Sequence, residues 1–262
     1  MSNLYTEEVV SLSNKELRLY LDGLLKVHEI NDFCPNGLQV EGKPQLKKIV
    51  TGVTASQALI DEAVKRNADA ILVHHGYFWK GEAQPIVGMK KRRIKSILDN
   101  DLNLFAYHLP LDVHPEYGNN RQLANLLNLE NISAVSGVKP TGVVMTGELP
   151  SPMTADEVAA LLSKKLNRHV LCEDKSGSLL STLAWCTGGG QGYIETAVEI
   201  GVDGFITGEV SEQTIHTARE MDVAFFAAGH HATERYGIKA LGEHLKEHFS
   251  VDVEFVDIDN PA

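Results

Sequence analysis

The chain has 262 residues, 43% hydrophobic and 23% charged, with 24 Lys and Arg against 35 Asp and Glu for a formal charge of -11. Such a length can bury a sizeable core, as one large domain or two smaller α/β units. The charge opposes non-specific attachment to nucleic acid or an anionic membrane, and no apolar run approaches the ~20 residues that span a bilayer.

The polar, acidic start MSNLYTEEVVSLSNKEL does not read as an export signal. Cys34, Cys172 and Cys186 are too widely spaced for a disulfide framework, so a reducing, cytoplasmic setting is expected. Residues 17–27 have the spacing of an amphipathic helix, and 32–42 (DFCPNGLQVEG) read as a turn-rich loop around Pro35, Asn36 and Gly37. A strand over 48–53, a helix over 56–65 and a strand over 70–73 follow. Ile71, Leu72 and Val73 form the short continuous apolar run of a strand buried on both faces. His74, His75 and Gly76 come next, at the carboxyl edge where open α/β sheets bind ligands. Lone histidines near a core are usually structural, so the pair gains meaning only if other ligands converge on it. Lys90, Lys91, Arg92, Arg93 and Lys95 read either as a solvated helix start or as a small cationic patch for phosphate. A helix over 92–98 leads to a strand over 102–107 that ends in His108. Farther on come a strand over 142–148 and a helix over 154–166, opened by a capping box from Thr154 to Glu157. Alternation of strand and helix predicts parallel βαβ units.

Self-similarity organises these elements. At a shift of 134 residues, Gln57 falls on Gln191, Ile60 on Ile194, Ala63 on Ala197 and Val64 on Val198. In the same ungapped register His74 and His75 fall on Gly208 and Glu209. A second apolar strand in each half then ends with a histidine and an acid four residues on, His108 with Asp112 and His230 with Glu234, after a one-residue adjustment of the helix–strand spacing. The expected fold is α/β: two related halves with mixed sheets over 1–127 and 128–262, the C-terminal segment free to return to the first. A metal site is expected between them, at the carboxyl edges of the strands.

His74, His75, His108, Asp112, His230 and Glu234 are the donors this pattern gathers. Imidazoles with carboxylates suit zinc, iron, manganese or cobalt, and the number of donors exceeds the needs of one open site. Two divalent ions sharing Glu234 use the set better, since its longer arm projects from a helix on the His230 face. His231 points off that face and is the weaker ligand. Pro110 in HLPLD argues for a turn there. The amides of Thr187–Gln191 could hold an anion, although a tight βα turn explains that stretch as well. Thr207, Gly208 and Glu209 are the counterpart of the histidine pair and could line the same cleft.

The segments PNGLQVEG, VTGVT, ADAILVHHGYFWK, HLPLD, CTGGGQ, GVDGFITGEVSEQTIH and GHHATER, with NPA at residues 260–262, carry a resemblance. Through them the chain resembles the GTP cyclohydrolase 1 type 2 homologue family, also called NIF three-like, in its bacterial YbgI type. The resemblance implies a two-domain α/β fold, a dinuclear metal centre and a toroidal homohexamer built as a trimer of dimers. It implies His74, His75, Asp112, His230 and Glu234 as ligands, with His108 close by or among them. It leaves the substrate open, and the inserted domain of longer members looks absent. Two functions compete. One is a metal-dependent hydrolase for a small phosphate-bearing or nucleotide-like molecule, with His108 or His231 moving protons and Lys80, Thr187 and Glu209 touching substrate. The other is a non-catalytic metal carrier or ring scaffold. A small anionic ligand suits the first, because two divalent ions against two carboxylates leave a centre cationic by about two charges.

Overall fold

The computed structural model describes residues 12–262, and the polar start through residue 11 lies outside them. The chain runs through β1 (Leu12–Ser13), α1 (Asn14–Leu24), β2 (Gly37–Val40), β3 (Gln45–Leu46), β4 (Lys48–Thr54), α2 (Gln57–Lys65), β5 (Ala70–His75), α3 (Gly88–Asp99) and β6 (Asn103–Ala106). It continues through α4 (Leu109–Asp112), α5 (Asn119–Leu127), β7 (Glu130–Ala134), β8 (Met145–Met153), α6 (Ala155–Leu166), β9 (Leu171–Glu173) and β10 (Leu180–Cys186). Last come α7 (Ile194–Ile200), β11 (Gly204–Thr207), α8 (Glu212–Glu220), β12 (Ala224–Ala227), α9 (His230–His248) and β13 (Asp252–Phe255). Two compact units result. The first holds the described residues through His28, Phe33–Tyr107 and Leu241–Val256; the second holds Glu29–Asp32, His108–Ala240 and Asp257–Ala262.

The first unit is built on a five-stranded sheet in the order β13-β4-β5-β6-β2. Its first four strands run parallel, and β2 lies antiparallel to β6. Ile71, Leu72 and Val73 are fully buried, as the unbroken apolar run requires, and each such side chain contributes roughly 1.5–3 kcal/mol. Helix α1 starts on a reciprocal cap, Ser13 Oγ accepting from Glu16 N while Glu16 Oε2 accepts from Ser13 N. Strand β2 corrects the expected loop over 32–42. Its ladder shifts register between Leu38 and Val40, and Gly37 at φ +109 opens it beside Asp22. Turn residues therefore mask an edge strand.

A six-stranded sheet in the order β7-β8-β10-β11-β12-β9 forms the second unit. The middle three strands, β10, β11 and β12, are parallel, and their flanks are antiparallel. One face packs Leu183, Trp185, Ile206 and Phe226 against Leu123, Val158 and Leu162 of α5 and α6. The other packs Ala184, Phe205 and Phe225 against Ala197 and Ala218 of α7 and α8. The expected capping box is present, with Glu157 N on Thr154 Oγ1 at 3.3 Å and Thr154 N on Glu157 Oε2 at 2.8 Å.

The two units share one frame. Asp69 Oδ2 accepts from Lys47 N and Lys48 N at 2.9 and 3.1 Å, pinning the loop before β5 to the start of β4. Asp203, 134 positions on, accepts from Ser181 N and Thr182 N at 2.9 and 2.8 Å. Past the second parallel strand the match changes. Ala70 aligns with Gly204 at an offset of 134, but Asn103 aligns with Ala224 at 121, because each follows the same ladder position. The units thus differ by thirteen positions, not one, and the longer connection around α3 takes up the difference. The outcome is a mixed α/β fold with two related halves.

Candidate metal centre

In the first unit the end of β5 is held on both sides. Tyr107 N donates to Val73 O at 3.0 Å and Ala55 N to His75 O at 2.9 Å, so the ladders continue to the last residue of the strand. His74 is fully buried with Nδ1 3.0 Å from Tyr107 O, and His75 Nδ1 lies 3.1 Å from Thr54 Oγ1. A carbonyl can only accept, so His74 carries its proton on Nδ1 and its lone pair on Nε2. Ligand histidines are oriented in this way. The rings are 4.5 Å apart and a nitrogen of each lies within 4.8 Å of the other. Adjacent strand residues normally diverge; here the strand end lets both lean the same way.

The second unit supplies the carboxylates. HLPLD forms the single helical turn α4 rather than the expected open turn, because Pro110 sits in a first turn where no N–H is needed. Asp112 N reaches His108 O at 3.1 Å, and Asp112 Oδ1 accepts from the buried Asn119 Nδ2 at 2.8 Å. Asn119 Oδ1 in turn accepts from Gly237 N of α9 at 3.0 Å. One amide side chain thereby ties Asp112 to the helix that bears His230 and Glu234. Those two share a helical face, with His230 Nε2 3.2 Å from Glu234 Oε2. Asp112 and Glu234 are both buried, and a carboxylate oxygen of each lies within 4.8 Å of the other. Glu209 Oε1 sits 2.7 Å from His230 Nδ1. Burial alone would lower the His230 imidazole, but hydrogen bonds and charge from Glu234 and Glu209 outweigh it and raise it to about 9. The cluster draws in positive charge.

A divalent cation fits this donor set. Two buried carboxylates this close repel each other unless a cation is shared between them. Gly188, at φ +66, is required for the approach: a Cβ there would collide with Glu234 Oε1 and press on His230 Nε2. Each unit therefore presents His, Asp or Glu donors that can hold metal.

The other sequence candidates have separate surroundings. His108 Nδ1 is 2.7 Å from Asp32 Oδ1, and Asp32 Oδ2 also accepts from Leu109 N at 2.9 Å. His231 is buried with Nε2 2.8 Å from Asp257 Oδ1, off the His230–Glu234 face as helical geometry requires. Lys80 is exposed, its backbone N on Phe33 O. Lys90 is tied locally, 3.2 Å from Glu82 and 5.3 Å over the Phe78 ring. The anion loop over Thr187–Gln191 is corrected: Thr187 N donates to Asn120 Oδ1, Gly188 N to Thr233 Oγ1 and Gly190 N to Thr207 Oγ1. These amides serve the fold, whereas the buried Thr187 Oγ1 has no partner among the described residues. Asp32, Thr54 and Asn119 were absent from the sequence expectations. Only the Asn119–Asn120 pair, two amides in a row where a helix opens, marked one of them.

Comparison with known proteins supplies the context. Residues 12–261 match the family model Duf34/NIF3 (NGG1p interacting factor 3). A Haemophilus influenzae protein named GTP cyclohydrolase 1 type 2 homolog is 58% identical over 252 residues, 96% of this chain and 100% of the relative. A solved structure described as protein ybgI, of unknown function, superposes with a TM-score of 0.91 at 54% identity, covering 96% of this chain and 100% of the other. The crystal structure of TTHA1606 from Thermus thermophilus gives 0.88 at 33% identity, with the same two coverages.

Proposed function

Because the chain belongs to the Duf34/NIF3 family, we propose that it is a dinuclear metal protein acting as a hydrolase on a small phosphate-bearing or nucleotide-like substrate. His74 and His75 from the first unit would hold metal together with Asp112, His230 and Glu234 from the second, Glu234 being the shared carboxylate. The close, buried pair of Asp112 and Glu234 is the observation that carries this function. Bound iron, zinc, manganese or cobalt would supply Lewis-acid polarisation of a phosphoryl oxygen.

The chain's own residues do the rest. His74 and His75 present Nε2 from rings fixed by Tyr107 O and Thr54 Oγ1. Glu209 holds His230 at Nδ1, so that Nε2 faces Glu234. Asp32 orients His108 at Nδ1, which would suit its other ring nitrogen to take a proton and return it to the leaving group. Thr187 would contact substrate through Oγ1, a buried hydroxyl without a partner among the described residues. The assembly we propose is a cytoplasmic homohexameric ring, on the family resemblance.

The test is elemental analysis of protein purified without added metal, followed by hydrolysis assays on phosphate monoesters and nucleotides. Turnover that is lost on chelation and restored by metal supports the proposal. Stoichiometric metal with no turnover on any of them favours the carrier or scaffold function instead.

A further inference from the structure

The NPA segment near residue 260 and Arg168, two residues past α6, have no part in the function above, yet they meet in one place. Arg168 Nη1 donates to Ala262 O at 3.1 Å, and Ala262 O also accepts from His231 N at 3.3 Å. Asn260 Oδ1 accepts from Ala262 N at 3.0 Å, which turns the segment back toward Arg168. Between them opens a cavity of about 420 Å³, lined by Arg168, His169, Leu171, Glu209, Val210 and Pro261 among others. That volume lies in the range of small-ligand sites. Its floor is the carboxyl end of β11 and β12, where Gly208, Glu209 and Ala227 leave the sheet, the edge at which α/β sheets bind ligands.

The walls divide by chemistry. Leu171 and Val210 are 39% and 41% exposed, so an apolar surface faces the cavity without burial. Opposite in character is Arg168: Nε donates to His169 O and Nη1 to Ala262 O, while Nη2 has no acceptor among the described residues. Its guanidinium packs on Gly229, where a Cβ would collide with it, so its charge stands one residue from His230. Glu209 has both oxygens engaged, Oε1 by His230 and Oε2 by Gln191 Nε2 at 3.2 Å. A planar apolar body with an anionic head matches this division.

We propose that this cavity is a nucleoside monophosphate subsite, Arg168 taking the phosphate and Leu171, Val210 and Pro261 flanking the base. It deepens the hydrolase function above and rests on it, since the phosphate would stand beside His230. Guanidinium forks suit phosphate oxygens, and inside a chain of charge -11 such a cation is what makes an anion site.

Calorimetric titration of the full-length protein with AMP, GMP and inorganic phosphate tests the subsite. Nucleotide binding is expected to weaken ~10-fold or more in Arg168→Ala, the loss of a charge-assisted hydrogen bond, with partial recovery in Arg168→Lys. Val210→Asp, on the exposed rim, should weaken it ~3-fold or more by repulsion and decides the matter if Arg168→Ala is misfolded by circular dichroism. Inorganic phosphate, lacking the base, should bind more weakly than either nucleotide. Equal nucleotide affinity in the wild type and the folded variants overturns the subsite, as does absence of binding at millimolar nucleotide. Chelation separates the two ideas. Nucleotide binding that survives chelation but fails in Arg168→Ala keeps the subsite whatever the hydrolysis assays give; turnover that is lost on chelation while nucleotide affinity ignores Arg168 keeps the metal hydrolase and removes the subsite.

Discussion

The β4-α2-β5 stretch of the first unit and the β10-α7-β11 stretch of the second are the same device with different cargo. Both pin the loop before the middle strand with an aspartate, Asp69 or Asp203, that accepts two backbone amides. At the ends of those strands the first carries His74 and His75, and the second Gly208 and Glu209. Gly208 has no room for a side chain, since a Cβ would press on His230 and on the Gly188 carbonyl. A shared scaffold has therefore been kept while its ends took up different work: imidazole donors on one side, and on the other a glycine for close approach and a carboxylate that holds a histidine.

The largest effect should come from the cargo. His74→Ala or Glu234→Ala is expected to lower bound metal to at most one ion per chain while leaving the protein folded, read by plasma mass spectrometry and circular dichroism. Unchanged content in both would remove these residues from the centre. Asn119→Ala should cost ~10–100-fold in metal affinity without touching a ligand, the usual effect of an orienting partner. If metal titration shows no change, the link from Asp112 to α9 is idle.

Acid–base behaviour separates the units further. The folded pKa of His230 is raised to about 9 from 6.5, so its protonation stabilises the metal-free fold fully below pH 6.5. That contribution, a few kcal/mol at most, disappears as pH rises through about 9. Melts of chelator-treated protein should show the decline, and His230→Gln should flatten it. A profile equally steep in the variant would assign the loss elsewhere.

Next in size is the scaffold itself. Asp69→Ala and Asp203→Ala each strand a pair of amides and should cost ~1–3 kcal/mol in stability. Denaturant titration giving similar values for the two would sharpen the correspondence, and a penalty at only one would break it. Smallest is a thiol effect: burial and nearby acids push Cys172 up to about 11, so it should react with iodoacetamide at pH 8 far more slowly than a free thiol. Labelling at the free-thiol rate, followed by mass spectrometry, would contradict that.

What the sequence disclosed was periodic or local. The apolar run at Ile71–Val73, the Thr154–Glu157 cap and the 134-residue repeat appear in the structure because each is written in neighbouring residues. The expectations went astray where a local signal had two meanings. Pro110 can end a helix or begin one, and Gly37 can mark a loop or the bend into an edge strand. The Thr187–Gly190 amides looked open to an anion until Asn120, Thr207 and Thr233 were seen to use them. Asp32 stayed hidden for a different reason: it meets His108 across 76 positions, and no spacing rule connects a carboxylate to an imidazole that far along the chain.

Strand β13 completes the first sheet by pairing Asp252 with Lys48 and Val253 with Ile49, about two hundred positions apart. During synthesis β4 must therefore wait as an open edge, its amides and the flank of Ile49 and Val50 uncovered, until nearly the whole chain has left the ribosome. The nascent first unit is a template for stray strand pairing throughout that interval. Its final closure is a late, long-range event of the kind that slows folding. Expression hosts short of chaperones should reveal this as aggregation of chains truncated before residue 252, well ahead of any loss of metal.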